Sequence, residues 1–380
     1  MGKRGNGEGS ITRRKSDGLY MARYTVQTAT GAKRKAVYAK TRKEVSEKLT
    51  AAMADASKGI TADGGPKTVG AFLTSWLENS VRGSVRKSTY DRNESLCCVH
   101  LILALSRKKL KTLGAADVAG FLRARLDSGC SAASVHKMHE TLHKALKQAV
   151  RWGYMTKNPA DNVDPPKVHT EEVHPLTRDE ARRFLKVVRR DRLEALYVVA
   201  LHTGLRQGEL LALRWEDVDL EGKTLQVRRT LARDGGKLAV GSTKTAKGRR
   251  TVKLTRDAAE ALREHLTRQL EEIDVLGDSY GPGGLVFAST KGTPINPTNL
   301  RKRSLAPLLV RAGLPHQTFH QLRHTAATIL LLKNVNPKIV SEMLGHASVA
   351  ITLNTYSHVL PNMQDSAVTR WKRRLRSALV

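Results

Sequence analysis

Apolar positions recur along this chain at two different periods, and the change from one to the other marks its organisation. In "GLYMARYTV", Tyr20, Ala22, Tyr24 and Val26 fall on one face at period two, and "KRKAVYAKT" is a second β-favouring stretch beyond the turn "QTATGA". Such alternation buries one face of a strand. Thr41 then opens "TRKEVSEKLTAAMADA", with Glu44 three residues on, a capping box at the head of an amphipathic helix. The expected unit is a small three-stranded β-sheet plus a helix.

Beyond the glycine- and proline-bearing linker "SKGITADGGPKT", the spacing becomes helical. "TVGAFLTSWLENSV", "RKSTYDRNESLCCVHLILAL", "GAADVAGFLRARLDSG" and "SAASVHKMHETLHKALKQAVRWGYMTKNPA" predict four helices, the last stopped by Gly153 and barred from continuing by Asn158-Pro159. A second linker, "VDPPKVHTEEVHP", carries two adjacent prolines. Thr177 and Glu180 form a further capping box, with Leu176 placed as its hydrophobic staple. Helices dominate from there on, interrupted by a β-hairpin in which "KTLQVRRT" and "RRTVKL" flank "LARDGGKLAVGSTKTAKG". The pattern predicts a multidomain, mainly α chain with units at 1–60, 66–165 and 173–380.

Length supports this division, because 380 residues exceed what one core organises. No run of about 18 apolar residues exists to span a bilayer, and MGKRGNGEGS lacks the apolar stretch of a secretory signal. The three cysteines, Cys97, Cys98 and Cys130, form no CxxC pair, which reads as a reduced, cytoplasmic chain. Charge changes the picture most. The net +31 is spread as +8 over residues 1–65, +9 over 66–170 and +14 over the remainder. A polyanion contacted along the whole chain accounts for that spread, and nucleic acid is the commonest such partner. No concentrated polybasic run of the lipid-reading kind is present.

Candidate chemistry lies in five blocks of the C-terminal half: "HTGLRQGELLALRW" (202–215), "STKTAKGRRTVKL" (242–254), "HQLRH" (320–324), "LGH" (344–346) and "NTYSH" (354–358). Splitting a phosphodiester needs a nucleophile, cations for the phosphoryl oxygens and a proton for the departing alkoxide. Tyr356 can supply the nucleophile, since its aryl phosphoester stays reactive enough for a second hydroxyl to attack. Arg206 and Arg323 are fixed-charge forks suited to non-bridging oxygens. His320, three residues before Arg323 and so on the same helical face, and His346 can donate to the phosphate and shuttle the tyrosine proton.

In content and order these blocks resemble the tyrosine recombinases, the phage-integrase family. The resemblance implies that a lysine in the hairpin turn, Lys244 or its rival Lys247, protonates the leaving 5′-oxygen, and that Glu209 orients Arg206. It implies that residues 66–165 are a helical core-binding domain clamping one duplex together with the catalytic domain at 173–380. It further implies an arm-binding domain at 1–60, with Arg13, Arg14, Lys15, Arg23, Lys33, Arg34 and Lys35 as phosphate or base contacts. The terminal helix "SAVTRWKRRLRSALV" would pack on its own domain or, as the resemblance implies, dock on a neighbouring protomer.

The resulting expectation is an integrase of a phage or mobile element acting through a 3′-phosphotyrosyl link on core- and arm-type sites in double-stranded DNA. It would be a homotetramer on DNA, allow a monomeric free form, leave room for an accessory bending or directionality factor, and work in the cytoplasm near the nucleoid of a bacterial host. Because the covalent link stores the bond energy, neither ATP nor metal is required. Two alternatives stay open, a relaxing topoisomerase of the same chemistry and a non-catalytic DNA-binding regulator. A zinc hydrolase is disfavoured: His320 and His324 stand at i and i+4, with His358 as a conceivable third ligand, but residue 321 is Gln where the general-base glutamate belongs.

Overall fold

The computed structural model describes residues 10–14, 18–28, 31–57, 66–168, 174–234, 237–242 and 248–356. The chain falls into two compact units, Met1–Thr170 and Glu171–Val380.

In the first unit, strands β1 (Ser10–Arg13), β2 (Tyr20–Thr28) and β3 (Gly31–Ala39) form an antiparallel sheet in chain order. Helix α1 (Arg42–Ser57) covers one face. The period-two pattern explains which face: Ala22 is buried with Ala39, Val45 and Leu49, and Ile11, Tyr20, Tyr24 and Val37 pack around them. The Thr41 hydroxyl accepts from the Glu44 N–H at 3.2 Å, as its capping signature requires.

Four helices follow. They are α2 (Val69–Trp76), α3 (Lys87–Leu96), α4 (Ala115–Asp127) and α5 (Ala132–Arg151). Wider π-type turns extend α2 over Leu77–Val81 and α3 over Cys97–Ile102. On α5, Val135, Met138, Leu142, Ala145, Leu146 and Ala149 are buried along one stripe, the i, i+3, i+4 spacing of an amphipathic helix. Gly153 takes φ +72 just beyond its end, a left-handed turn that favours glycine.

The second unit is built on a core that includes Phe184, Tyr197, Leu262, Phe287 and Leu308. Helix α6 (Arg178–Val188) begins at the predicted capping box, where Thr177 and Glu180 exchange bonds of 2.8 and 3.3 Å. Helix α7 (Glu194–Thr203) is buried nearly all round, so it is a central rod rather than a surface helix. Strands β4 (Val218–Asp219), β5 (Thr224–Val227) and β8 (Arg250–Lys253) form one antiparallel sheet, with Leu225 opposite Val252. This is the pairing expected of the flanking segments. The interior, expected only as a glycine- and lysine-rich connection, folds into its own ribbon of β6 (Arg229–Asp234) and β7 (Lys237–Ser242). Leu231 and Val240 face each other there. The remaining helices that matter below are α8 (Gln207–Leu210), α9 (Arg256–Leu276), α10 (Ala306–Arg311), α11 (Phe319–Leu332), α12 (Pro337–Leu344) and α13 (Val349–Tyr356).

Candidate active site

Helix α7 ends at Gly204, which adopts φ +64. The chain turns there and immediately restarts as α8. Arg206 is the N-cap of that helix, and Glu209, three residues on, accepts from its backbone N–H at 3.0 Å. The same carboxylate accepts from Arg206 Nη1 at 2.8 Å. Local capping therefore aims the guanidinium.

Glu209 is itself buried and carries a second arginine. Arg250, at the start of β8, donates to it through Nη2 at 2.9 Å and Nη1 at 3.3 Å, and through Nε to the Met343 carbonyl at 2.6 Å. Burial works to raise the Glu209 pKa, but the bonds and charge of Arg250, with those of Arg206, outweigh it and hold the carboxyl below its usual range. A third arginine, Arg323 on α11, is 3% exposed. Its Nη1 and Nη2 each donate at 2.8 Å, to the carbonyls of Gly204 and Leu344. Arg206 Nη2 reaches the Gly345 carbonyl at 3.2 Å. Burial first, then Arg206, push the Arg323 pKa down; a guanidinium keeps its proton regardless, so the cluster has an unmet need for an anion. Two arginines share one carboxylate, and the third donates to backbone carbonyls.

Gly345 makes this crowding possible. It takes φ +67 after α12, and a Cβ placed there would lie 2.8 Å from Arg250 Nη1. His346 follows directly. Its Nδ1 is 2.8 Å from Thr352 Oγ1, which leaves Nε2 as the nitrogen free to meet a ligand. Burial, then Arg323, Arg206 and Arg250, push it down to about 4. His320 is lowered too, by burial and by Arg323 and Arg206. Both imidazoles are consequently neutral at pH 7 and can donate as well as accept.

Tyr356 closes α13, and at 3% exposure it packs with Ala327, Leu331, Val340 and Leu344. Burial pushes its pKa up to about 12, against a lowering pull from Arg323. Its Oη is 2.8 Å from His324 Nδ1. His324 is held neutral, pushed down to about 4 by burial, His320 and Arg323, and in its Nε2–H tautomer Nδ1 accepts from the phenol. The His320 and His324 rings meet edge to face at 4.8 Å.

The fold thus gathers Arg206, Glu209, His320, Arg323, His346 and Tyr356 within electrostatic reach of one another. Lys244 and Lys247 lie outside the described residues, as do Lys15, the Lys33 side chain, His358 and the segment 366–380. Sequence reasoning missed Arg250, Thr352 and the bond from His324 to Tyr356. The i, i+4 spacing of His320 and His324 signals their shared face from the sequence alone, and the structure gives that face a phenol to meet. Among the described residues no group of three or more His, Cys, Asp or Glu could hold a metal ion, and His324 Nδ1 is engaged by the phenol.

The basic residues proposed for the N-terminal unit divide between the two faces of its sheet. Tyr20, Ala22 and Tyr24 face α1, so Arg23 and, paired with Thr25, Arg34 lie on the open face. Arg14 stacks its guanidinium 5.3 Å from the centre of the Tyr38 ring. Arg13 and Lys35 sit opposite Tyr20 and Tyr24, on the helix-covered side.

Comparison with known proteins bears on the whole arrangement. The profile of the phage integrase family matches residues 174–363. The tyrosine recombinase XerC-like protein of Caldanaerobacter subterraneus subsp. tengcongensis is 32% identical over 355 residues, covering 88% of this chain and 90% of that protein. Among solved structures, the Tn1549 transposon integrase in complex with a circular intermediate DNA aligns with TM-score 0.68 at 23% identity, over 81% of this chain and 99% of that one. A lambda integrase tetramer bound to a Holliday junction aligns with TM-score 0.58 at 21% identity, over 91% and 94%. The family match spans half of the chain, and the relative and the solved structures each cover most of it: this chain belongs to the phage integrase family and is a tyrosine-type site-specific DNA recombinase.

Proposed function

We propose that the chain cuts and rejoins double-stranded DNA with Tyr356 as nucleophile, and that it integrates and excises a phage genome or mobile element. The observation that carries this reading is the surplus of positive charge around Glu209. Arg206 and Arg250 share that one carboxylate, Arg323 beside them donates to the backbone carbonyls of Gly204 and Leu344, and the Arg206 side chain is 41% exposed. A scissile phosphate entering there supplies the missing anion. Arg206, Arg323 and His346 Nε2 hold its non-bridging oxygens, where charge grows in the transition state. Tyr356 Oη bonds to phosphorus, and the 5′-oxygen departs with a proton from Lys244 or Lys247. Glu209 keeps Arg206 aimed. Attack by a 5′-hydroxyl from the partner strand reverses the step and frees the phenol.

Residues 66–165 act on the core-type site. The open sheet face, with Arg23, Arg34 and the Arg14–Tyr38 stack, acts on the arm-type site. The relatives solved on DNA and as a tetramer on a Holliday junction support a DNA-bound tetramer here, in which the segment 366–380 links subunits and an accessory factor sets direction. Among the described residues no helix is long and apolar enough to cross a membrane, consistent with work at the nucleoid.

A nicked suicide duplex tests the chemistry. Wild-type protein traps itself covalently on the DNA, and Tyr356→Phe retains binding with no adduct. A DNA-binding regulator gives no adduct with either protein. A relaxing topoisomerase changes the linking number of plasmids that lack the recognition site.

A further inference from the structure

We propose that His324 is the base that first receives the proton of Tyr356. The inference rests on the reading of Tyr356 as nucleophile and assigns a partner to its hydroxyl. Two other histidines of the catalytic set, His320 and His346, have the chemistry to take that proton, but the nitrogen in contact with the phenol belongs to His324. His346 Nδ1 is bonded to Thr352 Oγ1 at 2.8 Å. The His320 ring meets that of His324 edge-on at 4.8 Å, and the His324 ring lies 5.6 Å from that of Tyr356. His324 Nδ1 is 2.8 Å from Oη, within the reach a general base needs, about 2.6–3.2 Å.

Helical geometry explains the division of labour. His320 and His324 share one face of α11 one turn apart, while Arg323 turns inward to the carbonyls of Gly204 and Leu344. The three side chains place two imidazoles in series, the outer one exposed and the inner one against the tyrosine. A neutral imidazole accepting at Nδ1 carries its proton on Nε2, so His324 can take a second proton and pass one outward.

The step balances as follows. The Oη–H bond of Tyr356 breaks as the Nδ1–H bond of His324 forms, and the Oη–P bond forms as the bond from phosphorus to the 5′-oxygen breaks. The lysine proposed for the hairpin turn protonates that oxygen. Burial first, with Arg323 among the further causes, keeps His324 neutral in the free protein, and the negative charge of a bound phosphate beside Arg323 favours the imidazolium. In rejoining, the imidazolium returns its proton to the departing phenolate.

The test is single-turnover adduct formation by the full chain on a nicked suicide duplex, with wild type, His324→Ala and His324→Asn. A companion duplex carries a bridging 5′-phosphorothiolate, whose leaving group needs no protonation. Removal of a general base predicts a loss of about 100-fold in both variants. DNA affinity stays unchanged, the thiolate gives no recovery, and added imidazole partly rescues His324→Ala. A structural role has no reason to respond to imidazole. Should the alanine protein melt early, the asparagine protein carries the test, because it keeps a polar group beside Oη but cannot take a proton. Adduct formation at the wild-type rate or faster in both variants overturns the proposal, and so does a loss that imidazole leaves untouched and that the thiolate restores. An adduct that persists in Tyr356→Phe instead sinks the assignment of the nucleophile, a different result.

Discussion

Replacing Glu209 with glutamine probes the cluster at its centre. The carboxylate accepts two bonds from Arg206, at the backbone N–H and Nη1, and two from Arg250, at 2.9 and 3.3 Å. An amide of the same shape keeps one acceptor oxygen and turns an NH2 donor towards a guanidinium donor. The side chain of Arg250 is only 8% exposed, against 41% for Arg206, so solvent screens the Arg206 pair and the Arg250 pair carries most of the energy. Breaking a buried pair by removing one partner costs about 3–5 kcal/mol. With one of the two pairs screened, the lower end, about 3 kcal/mol, is expected, and for a unit of this size that is a fall of roughly 6–12 °C in Tm.

Denaturant and thermal unfolding of wild type, Glu209→Gln, Arg250→Met and the double variant measure it. The double variant should lose less than the two singles combined, by more than about 1 kcal/mol, because the second change removes the charge that the first left unpaired. The pH dependence has a definite sign. The folded pKa of Glu209 is lowered, so its contribution is present above the ordinary carboxylate value of about 4.3 and is lost as pH falls through the folded value below it. The gap between variant and wild type therefore narrows below about pH 4.3. A Glu209→Gln protein within about 0.5 kcal/mol of wild type at pH 7, or strictly additive singles, refutes this account of the buried pair.

Three further outcomes follow from the same geometry. Gly204→Ala should cost about 2–4 kcal/mol in denaturant unfolding, since φ is +64 and the new Cβ would lie 2.5 Å from Leu344 Cδ2. Thr352→Val should slow adduct formation about tenfold while leaving DNA affinity and Tm nearly intact, because it frees His346 from the hydroxyl 2.8 Å away on α13 without touching the arginines. DNA affinity, read by fluorescence anisotropy, should fall at least about 100-fold between 50 and 200 mM salt, given a basic chain that neutralises several phosphates; a flat response contradicts the role assigned to its charge.

Much of the local structure was legible because its causes are local. Thr41 with Glu44 and Thr177 with Glu180 mark helix starts through bonds only three residues apart. The alternation of Tyr20, Ala22 and Tyr24 declares a sheet face without reference to the rest of the chain. The β6–β7 ribbon was less legible. Its strands, "RTLARD" and "KLAVGS", carry few β-formers, and the pairing of Leu231 with Val240 is what compensates.

Sequence by itself determined which chemical groups this protein owns and the order in which they come: the arginines, histidines and tyrosine of five ordered blocks, a capping carboxylate three residues after Arg206, and a positive charge spread from end to end. Tertiary structure alone decided who touches whom. Glu209 meets Arg250 across 41 residues, Arg323 meets the Gly204 carbonyl across 119, and Tyr356 finds His324 across 32. Hydrogen bonds act over about 3 Å, whereas periodicity and capping inform only about neighbours within a turn or two. Contacts between distant segments are chosen by how whole helices pack, and no short stretch of residues encodes that choice.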